Sequence, residues 1–415
     1  MTTVSKEAAR EAAYSTPLED FNVASPELFE TDAHWPYFER LRAEAPVHYT
    51  ARSEYGPYWS VSRYQDIIAV DSNHEVFSSS SELGGISVFD APDTTERASF
   101  IALDPPRHDA QRKVVMPMFA TESLKALEPL IRERAAKILN ELPQGETFDF
   151  VERVSVELTS QMLATLFDFP FEERHLLPRC SDLILMQPGT PEEQAARFME
   201  LTSTLGRFTE LWNQRAATAK PGHDLISMLA HDEATKAGDD PYRYIGNIIL
   251  LIVAGSDTTR HSITGGLIAL NENPDEYAKL RANPALLESM VPEVIRYQSP
   301  VAHMRRTTTQ DTEIAGQPIR KGEKVLMWYV SGNRDESAIE DANRFIIDRE
   351  RPRQHVSFGF GMHRCVGQRL AEMQLRVVWE EMLKRFPVIE VVGEPTRLKS
   401  SFVKGYETLP VRIPA

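Results

Sequence analysis

The sequence predicts a mainly α-helical protein with a minor β-sheet region, folded as one large domain. Three observations predict it. Apolar residues recur at helical spacing over long stretches, strand-like runs are few and short, and no Gly/Ser linker, low-complexity tract or internal repeat divides the 415 residues. Residues 1–20 are polar and read as a flexible N-terminal arm, leaving 21–415 as the domain. Val47–Tyr49 and Tyr58–Val61 carry the alternation or β-branching of strands. Helical spacing follows over Glu122–Leu142, Val151–Phe167, Pro191–Ala217, Tyr242–Asn271, Pro274–Arg281 and Pro284–Tyr297. Pro274 and Pro284 sit where the first turn of a helix tolerates a missing N–H. Thr312–Ile314, Gln317–Ile319 and Val325–Val330 read as strands, with turns at Ala315-Gly316 and Lys321-Gly322. The long irregular segment Asn333–Gln354 is expected to wrap in order against the core.

Composition narrows the function. A net charge of −15 argues against nucleic acid and against anionic membrane surfaces. Only two cysteines, Cys180 and Cys365, point to a reducing cytoplasm and exclude a cysteine-rich zinc cage. The N-terminus has no apolar core of a signal peptide, and the longest apolar run, Ile248 to Ala254, falls far short of a bilayer span. A soluble, cytoplasmic, bacterial-type monomer is expected. No G-x-S-x-G stands in the chain to suggest a serine hydrolase.

The most informative stretch is Phe358-Gly359-Phe360-Gly361-Met362-His363-Arg364-Cys365-Val366-Gly367, which runs into a helix-like segment beginning at Gln368. A lone cysteine is ordinarily a small buried hydrophobe. Here three glycines permit tight turns and close approach of a flat group, and the start of a helix favours a thiolate. A thiolate on such a loop suits the fifth ligand position of a haem iron. Gly359-x-Gly361 also begins like a dinucleotide loop, but Arg364 stands where the third glycine belongs and no βαβ pattern surrounds it.

The spacing F-G-x-G-x-H-x-C-x-G resembles the haem-ligand loop of the cytochrome P-450 superfamily, and the resemblance spans roughly residues 30–412. It implies the fold of that superfamily, with haem b between a long central helix and the loop of Cys365, the iron ligand. Phe358, Gly359 and Gly367 would form the cradle, with Ala254 and Gly255 on the opposite side. In the central helix, Gly255-Ser256-Asp257-Thr258-Thr259 resembles the superfamily's acid–alcohol pair. Helical spacing places Leu251, Ala254, Gly255, Thr258 and Ser262 on one face. By resemblance that face crosses the haem, Gly255 opens a groove for dioxygen, Thr258 hydrogen-bonds the reduced oxygen and Asp257 relays protons. His108, Arg112, Arg305 and His363 would grip the propionates. Glu293 and Arg296 form an E-x-x-R, by itself as readily a surface ion pair; by resemblance it joins a second arginine, assigned to Arg344, as a structural cluster.

A finer resemblance, carried by His355 to Phe386, Val388–Pro395, Val301–Thr307, Met327–Asp335 and Phe402–Tyr406, is to bacterial medium-chain alkane and fatty-acid terminal hydroxylases. That branch often has Gly-Gly-Asn-Asp-Thr-Thr-Arg-Asn in the central helix, where this chain has Ala254-Gly255-Ser256-Asp257-Thr258-Thr259-Arg260-His261. The resemblance implies a monooxygenase for aliphatic C–H bonds with a pocket lined by Ile86, Val88, Leu251, Ala254, Val301, Met304, Phe402 and Val403. Electrons would come from NAD(P)H through a [2Fe–2S] ferredoxin and its flavoprotein reductase, because no flavin or iron–sulfur motif stands in the chain. Arg107, Lys113, Arg353, Arg364 and Arg369 would form the docking patch. Rival readings are a haem-based sensor or carrier, which has no use for Asp257-Thr258, and a peroxide-using haem-thiolate enzyme, a class that usually lacks that pair.

Overall fold

A computed structural model describes residues 4–90, 99–185, 189–220, 222–236 and 243–415. Helices dominate. The longest, Ile245–Glu272, runs through the main hydrophobic core and is buried along most of its length, as expected of a helix apolar on nearly all sides. Around it pack Glu157–Phe167, Leu176–Leu185, Leu287–Gln298 and Gln368–Arg385. No helix among the described residues is long and apolar enough to cross a membrane.

Among the described residues twelve short strands complete the fold: β1 Val47–Thr50, β2 Tyr58–Val61, β3 Phe77–Ser78, β4 Thr147–Asp149, β5 Met304–Thr308, β6 Thr312–Ile314, β7 Gln317–Ile319, β8 Lys324–Met327, β9 Glu390–Val391, β10 Thr396–Arg397, β11 Tyr406–Thr408 and β12 Pro410–Arg412. The largest sheet has the order β1-β2-β8-β5-β3. Only β2 and β8 pair in parallel there, joining residues far apart in sequence. A second core cluster fills one side of this sheet, with Ile67, Val325 and Met327 among its members. A third holds Phe21, Phe29, Phe38 and Trp328.

Several expectations need correction. Residues 4–20 are not a loose arm: Lys6–Ser15 is a helix capped by the Ser5 hydroxyl, with Ala9 and Ala13 buried where it packs on helix Trp35–Glu44. Two alanines on one face were too weak an apolar signal to announce it. The strand expected over Val325–Val330 ends at Met327, because the chain turns helical over Tyr329–Gly332 with the Ser331 and Gly332 amides bonded to the Trp328 carbonyl. Val151–Val156 is π-helical before the α-helix begins at Glu157. Pro284–Leu286 is a 3₁₀ turn leading into Leu287–Gln298. The expected start of the central helix, Tyr242, lies outside the described residues. The wrap Asn333–Gln354 is ordered against the core, with Asn333, Ala342 and Ile347 buried.

Candidate active site

The Cys365 loop is built by its glycines and by buried ties to the rest of the fold. Gly361 has φ +63°, and a Cβ there would lie 2.5 Å from the Asp71 carbonyl oxygen, so only glycine lets the loop lie against the end of helix Tyr64–Ser72. The Cys365 amide donates to the Phe358 carbonyl (2.8 Å), closing the turn. Helix Gln368–Arg385 starts immediately after Gly367. Cys365 is exposed and lines a cavity. Burial pushes its thiol up, opposed by the Gly367 and Gln368 amides and by Arg112 and Arg364. These opposing groups are the ones that would stabilise a thiolate once a metal ion shares its charge.

That cavity contains roughly 1460 Å³ free of protein atoms, including its open mouth. The central helix contributes Leu251, Ala254, Gly255, Thr258 and Ser262, the five positions that helical spacing groups together. Opposite them are Phe358, Gly359, His363, Cys365 and Gly367. Thr258 Oγ1 donates back to the Ala254 carbonyl (2.7 Å). A Cβ on Gly255 would meet Leu163 Cδ2 at 2.7 Å, so this glycine admits the neighbouring helix Glu157–Phe167 as well as leaving space in the cavity.

Asp257 is fully buried and does not line the cavity. Its carboxylate accepts from the Ser181 hydroxyl and pairs with Arg260, which continues to Asp182 (2.7 Å), whose side chain is 41% exposed. Burial raises the Asp257 carboxyl to about 6, against the lowering influence of Arg260 and Ser181. A chain of charged groups therefore leads from the surface to the residue beside Thr258.

Two buried histidine nitrogens, His108 Nε2 and His363 Nδ1, have no hydrogen-bond partner. The rings lie 4.4 Å apart; His108 Nδ1 is held by Asp109 (2.7 Å) and His363 Nε2 by Ser79 (2.7 Å). Arg112, whose guanidinium donates to the Arg364 carbonyl, reaches the cavity beside them. Burial, then the neighbouring cations, pushes His363 down to about 2, so the ring is neutral without an anion beside it. Of the two, His363 lines the cavity, and its orphaned nitrogen close to Arg112, with the His108 ring packed against it, fits the carboxylates of a haem, with the Cys365 sulfur placed to ligate the iron.

Arg305 does not take part. Along β5 side chains alternate, and Met304 and Arg306 line the cavity while Arg305 points to the other face. There it binds Asp90 (2.6 Å) and the Leu83 carbonyl (2.9 Å). Arg306 is the arginine of this strand that could reach a propionate, and the alternation with Met304 was the signal for it. Arg344 is likewise displaced: its side chain is 71% exposed and pairs with Asp341, and Arg349 instead reaches the buried Glu293 (3.1 Å). The pair Glu293–Arg296 is wholly buried, with hydrogen bonds of 2.7 and 2.8 Å, and Arg296 also binds the Asn333, Ala342 and Arg344 carbonyls. Asn333 carries that rigidity to the Cys365 loop through the Val356 amide and the Ser357 hydroxyl.

Of the expected pocket residues, Leu251, Ala254, Val301 and Met304 line the cavity. Ile86, Val88, Phe402 and Val403 do not: Val88 is buried in the third core cluster, the Ile86 carbonyl accepts from the Arg305 amide, Phe402 packs on His303, and Val403 bridges Val301 from behind. Phe100, Met162, Leu163, Leu166 and Leu225 take their place. They come from helices and a 3₁₀ turn whose apolar residues looked like ordinary core.

A family model described as cytochrome P-450 matches residues 144–409. Linalool 8-monooxygenase of Pseudomonas putida is 38% identical over 407 residues, covering 95% of this chain and 99% of its own. Among solved structures, CYP153D17 from a Sphingomonas species is 44% identical with a TM-score of 0.90, over 96% of this chain and 100% of that one. A cytochrome P-450-153 from Novosphingobium aromaticivorans is 42% identical with a TM-score of 0.87, over 94% and 98%.

Proposed function

The chain belongs to the cytochrome P-450 family of haem monooxygenases, and on that footing we propose that it hydroxylates a neutral, elongated apolar substrate at or near a terminal carbon, medium-chain n-alkanes first. One oxygen atom of dioxygen enters the C–H bond and the other leaves as water, with two electrons drawn from NAD(P)H. Haem b, held by Cys365, supplies the activation of dioxygen. Arg112, Arg306, His108 and His363 would hold its propionates, Thr258 would hold a proton at the cavity wall, and Asp257, linked through the bridging Arg260 to Asp182, would pass protons to it from the solvent side.

The observation that carries the substrate reading is the lining. Its two arginines, Arg112 and Arg306, are both tied to the Cys365 loop, and the remaining described wall carries no cation. A fatty-acid head group buried there would lack a charged partner, which is costly. An alkyl chain gains about 0.8 kcal/mol per buried CH₂. Titrating the purified protein with n-alkanes, matched fatty acids and terpenoids while following the haem spin state tests this. Tighter binding of fatty acids than of alkanes of equal length would count against it. Terpenoid alcohols are the second reading, favoured by the similarity to linalool 8-monooxygenase over nearly its whole length.

Electrons would arrive from a [2Fe–2S] ferredoxin reduced by a flavoprotein. Exposed Arg364 and Arg369 lie in and just after the Cys365 loop, exposed Lys113 follows Arg112, which binds the Arg364 carbonyl, and Arg353 pairs with Glu372 of the helix that follows the loop, all on a chain of charge −15. Such a patch suits an acidic partner, and the reduction rate should fall with salt.

A further inference from the structure

Asp71 belongs to no motif of the sequence, yet three hydrogen bonds tie it to the cavity wall and to the Cys365 loop. It sits in the last turn of helix Tyr64–Ser72 and is 2% exposed. Its Oδ1 accepts from Arg306 (2.6 Å), and its Oδ2 accepts from the Tyr329 hydroxyl (2.8 Å) and the Phe360 amide (2.7 Å). Arg306 and Tyr329 both line the cavity, and Phe360 belongs to the Cys365 loop. The loop is pressed onto the same residue: Cβ atoms at Gly359 and Gly361 would lie 3.1 Å from Asp71 Oδ2 and 2.5 Å from its carbonyl oxygen. One buried carboxylate thus meets the arginine of the cavity wall, a second wall residue and the backbone of the ligand loop.

We propose that Asp71 is a positioning residue for the haem: its carboxylate orients Arg306 and offsets that guanidinium's charge at the cavity wall, and its hydrogen bond to Phe360 fixes the loop that carries Cys365. A buried guanidinium without a carboxylate is costly and free to swing, and hydrogen bonds to charged groups are the strong ones. The proposal rests on the haem reading of the cavity, which the wild-type protein tests separately by its reduced carbon-monoxide spectrum. A wild-type protein without the thiolate-type band would overturn both.

Given that band, Asp71→Asn keeps the size of the side chain and an acceptor for Phe360 but removes the negative charge opposite Arg306. The expected result is a reduction potential shifted in the positive direction, since an uncompensated cation favours the reduced iron, together with loss of haem to apomyoglobin about tenfold faster. In an Arg306→Gln background the same substitution should speed haem loss less than it does in the wild type, because the guanidinium that Asp71 orients is gone. A merely structural carboxylate would lower the melting temperature and leave the potential alone, and that outcome overturns the proposal. So does an acceleration of haem loss that persists in full without Arg306. If Asp71→Asn yields no holoprotein, Tyr329→Phe removes one of the three hydrogen bonds and keeps the charge. It should speed haem loss with the potential unchanged, and unaltered haem loss would overturn the positioning role.

Discussion

Thr258 faces the cavity while Asp257, one residue earlier on the same helix, turns its carboxylate away from it, onto Ser181 and Arg260. A single helical step rotates the side chain by about 100°, enough to put one group on the reacting side and the other on the solvent-linked side. If the pair passes protons inward, Thr258→Ala should still bind haem and substrate but divert electrons to hydrogen peroxide. Measuring product and peroxide per NAD(P)H decides, and an unchanged product yield counts against the relay.

The buried Asp257 carboxyl also predicts a pH dependence of stability. Its value near 6 lies above that of an unfolded carboxyl, near 4. Proton binding therefore favours the folded state; that contribution is complete below about pH 4 and is lost as pH rises through about 6. The gap corresponds to about 3 kcal/mol. Asp257→Asn has nothing to titrate there. Denaturant titrations at pH 4 and pH 8 should show a wild-type stability loss that shrinks by up to about 3 kcal/mol in the variant.

Cys365→His should lose the red-shifted Soret band of the reduced carbon-monoxide complex while retaining some haem. Cys180 cannot substitute for it. It is wholly buried among core residues, and burial pushes its thiol up to about 12. A thiolate-type spectrum surviving in Cys365→His would overturn the ligand assignment.

Arg349 and Arg344 should separate sharply. Arg349→Ala strips a partner from the wholly buried Glu293 and is expected to cost about 3–5 kcal/mol. Arg344→Ala removes an exposed pair with Asp341 and should stay within about 0.5–1 kcal/mol. Urea unfolding of the two holoproteins, together with their haem content, measures both.

What could be read from the chain alone was whatever depends on local spacing. The Cys365 loop has fixed intervals, and the five cavity positions of the central helix follow from helical geometry. Arg305 and Arg306 show where that ends, since both are arginines at a plausible interval and only the pleat of a strand not recognised beforehand decides which one turns inward. Arg344 is the second arginine that the resemblance suggests, whereas which arginine of the wrap reaches Glu293 depends on how the wrap folds back over it. Asp71 is invisible in the same way. Its partners lie 235, 258 and 289 residues away, and nothing in its own neighbourhood announces them.

Regiochemistry is the remaining test of the central helix. A terminal methyl C–H bond is stronger than an internal one, so terminal attack needs the chain held end-on by a narrow wall. Ala254 and Gly255 stand side by side on that wall, with Val301 and Met304 also lining the cavity. Ala254→Gly removes a methyl exposed to the cavity and should admit bulkier ends or shift attack inward, at little cost beyond the helix penalty of about 1 kcal/mol. Gly255→Ala acts differently. Its methyl would meet Leu163 Cδ2 at 2.7 Å, so Leu163, itself a wall residue, has to yield into the cavity or push its helix outward, at about 1–3 kcal/mol. The first variant should lower the fraction of terminal alcohol from n-alkanes and the second should shorten the longest chain accepted. Gas chromatography of the alcohols formed with a reconstituted ferredoxin system reads both. Wild-type protein that yields only internal alcohols, or accepts only bulky cyclic substrates, would remove the terminal-hydroxylase reading and leave the monooxygenase assignment intact.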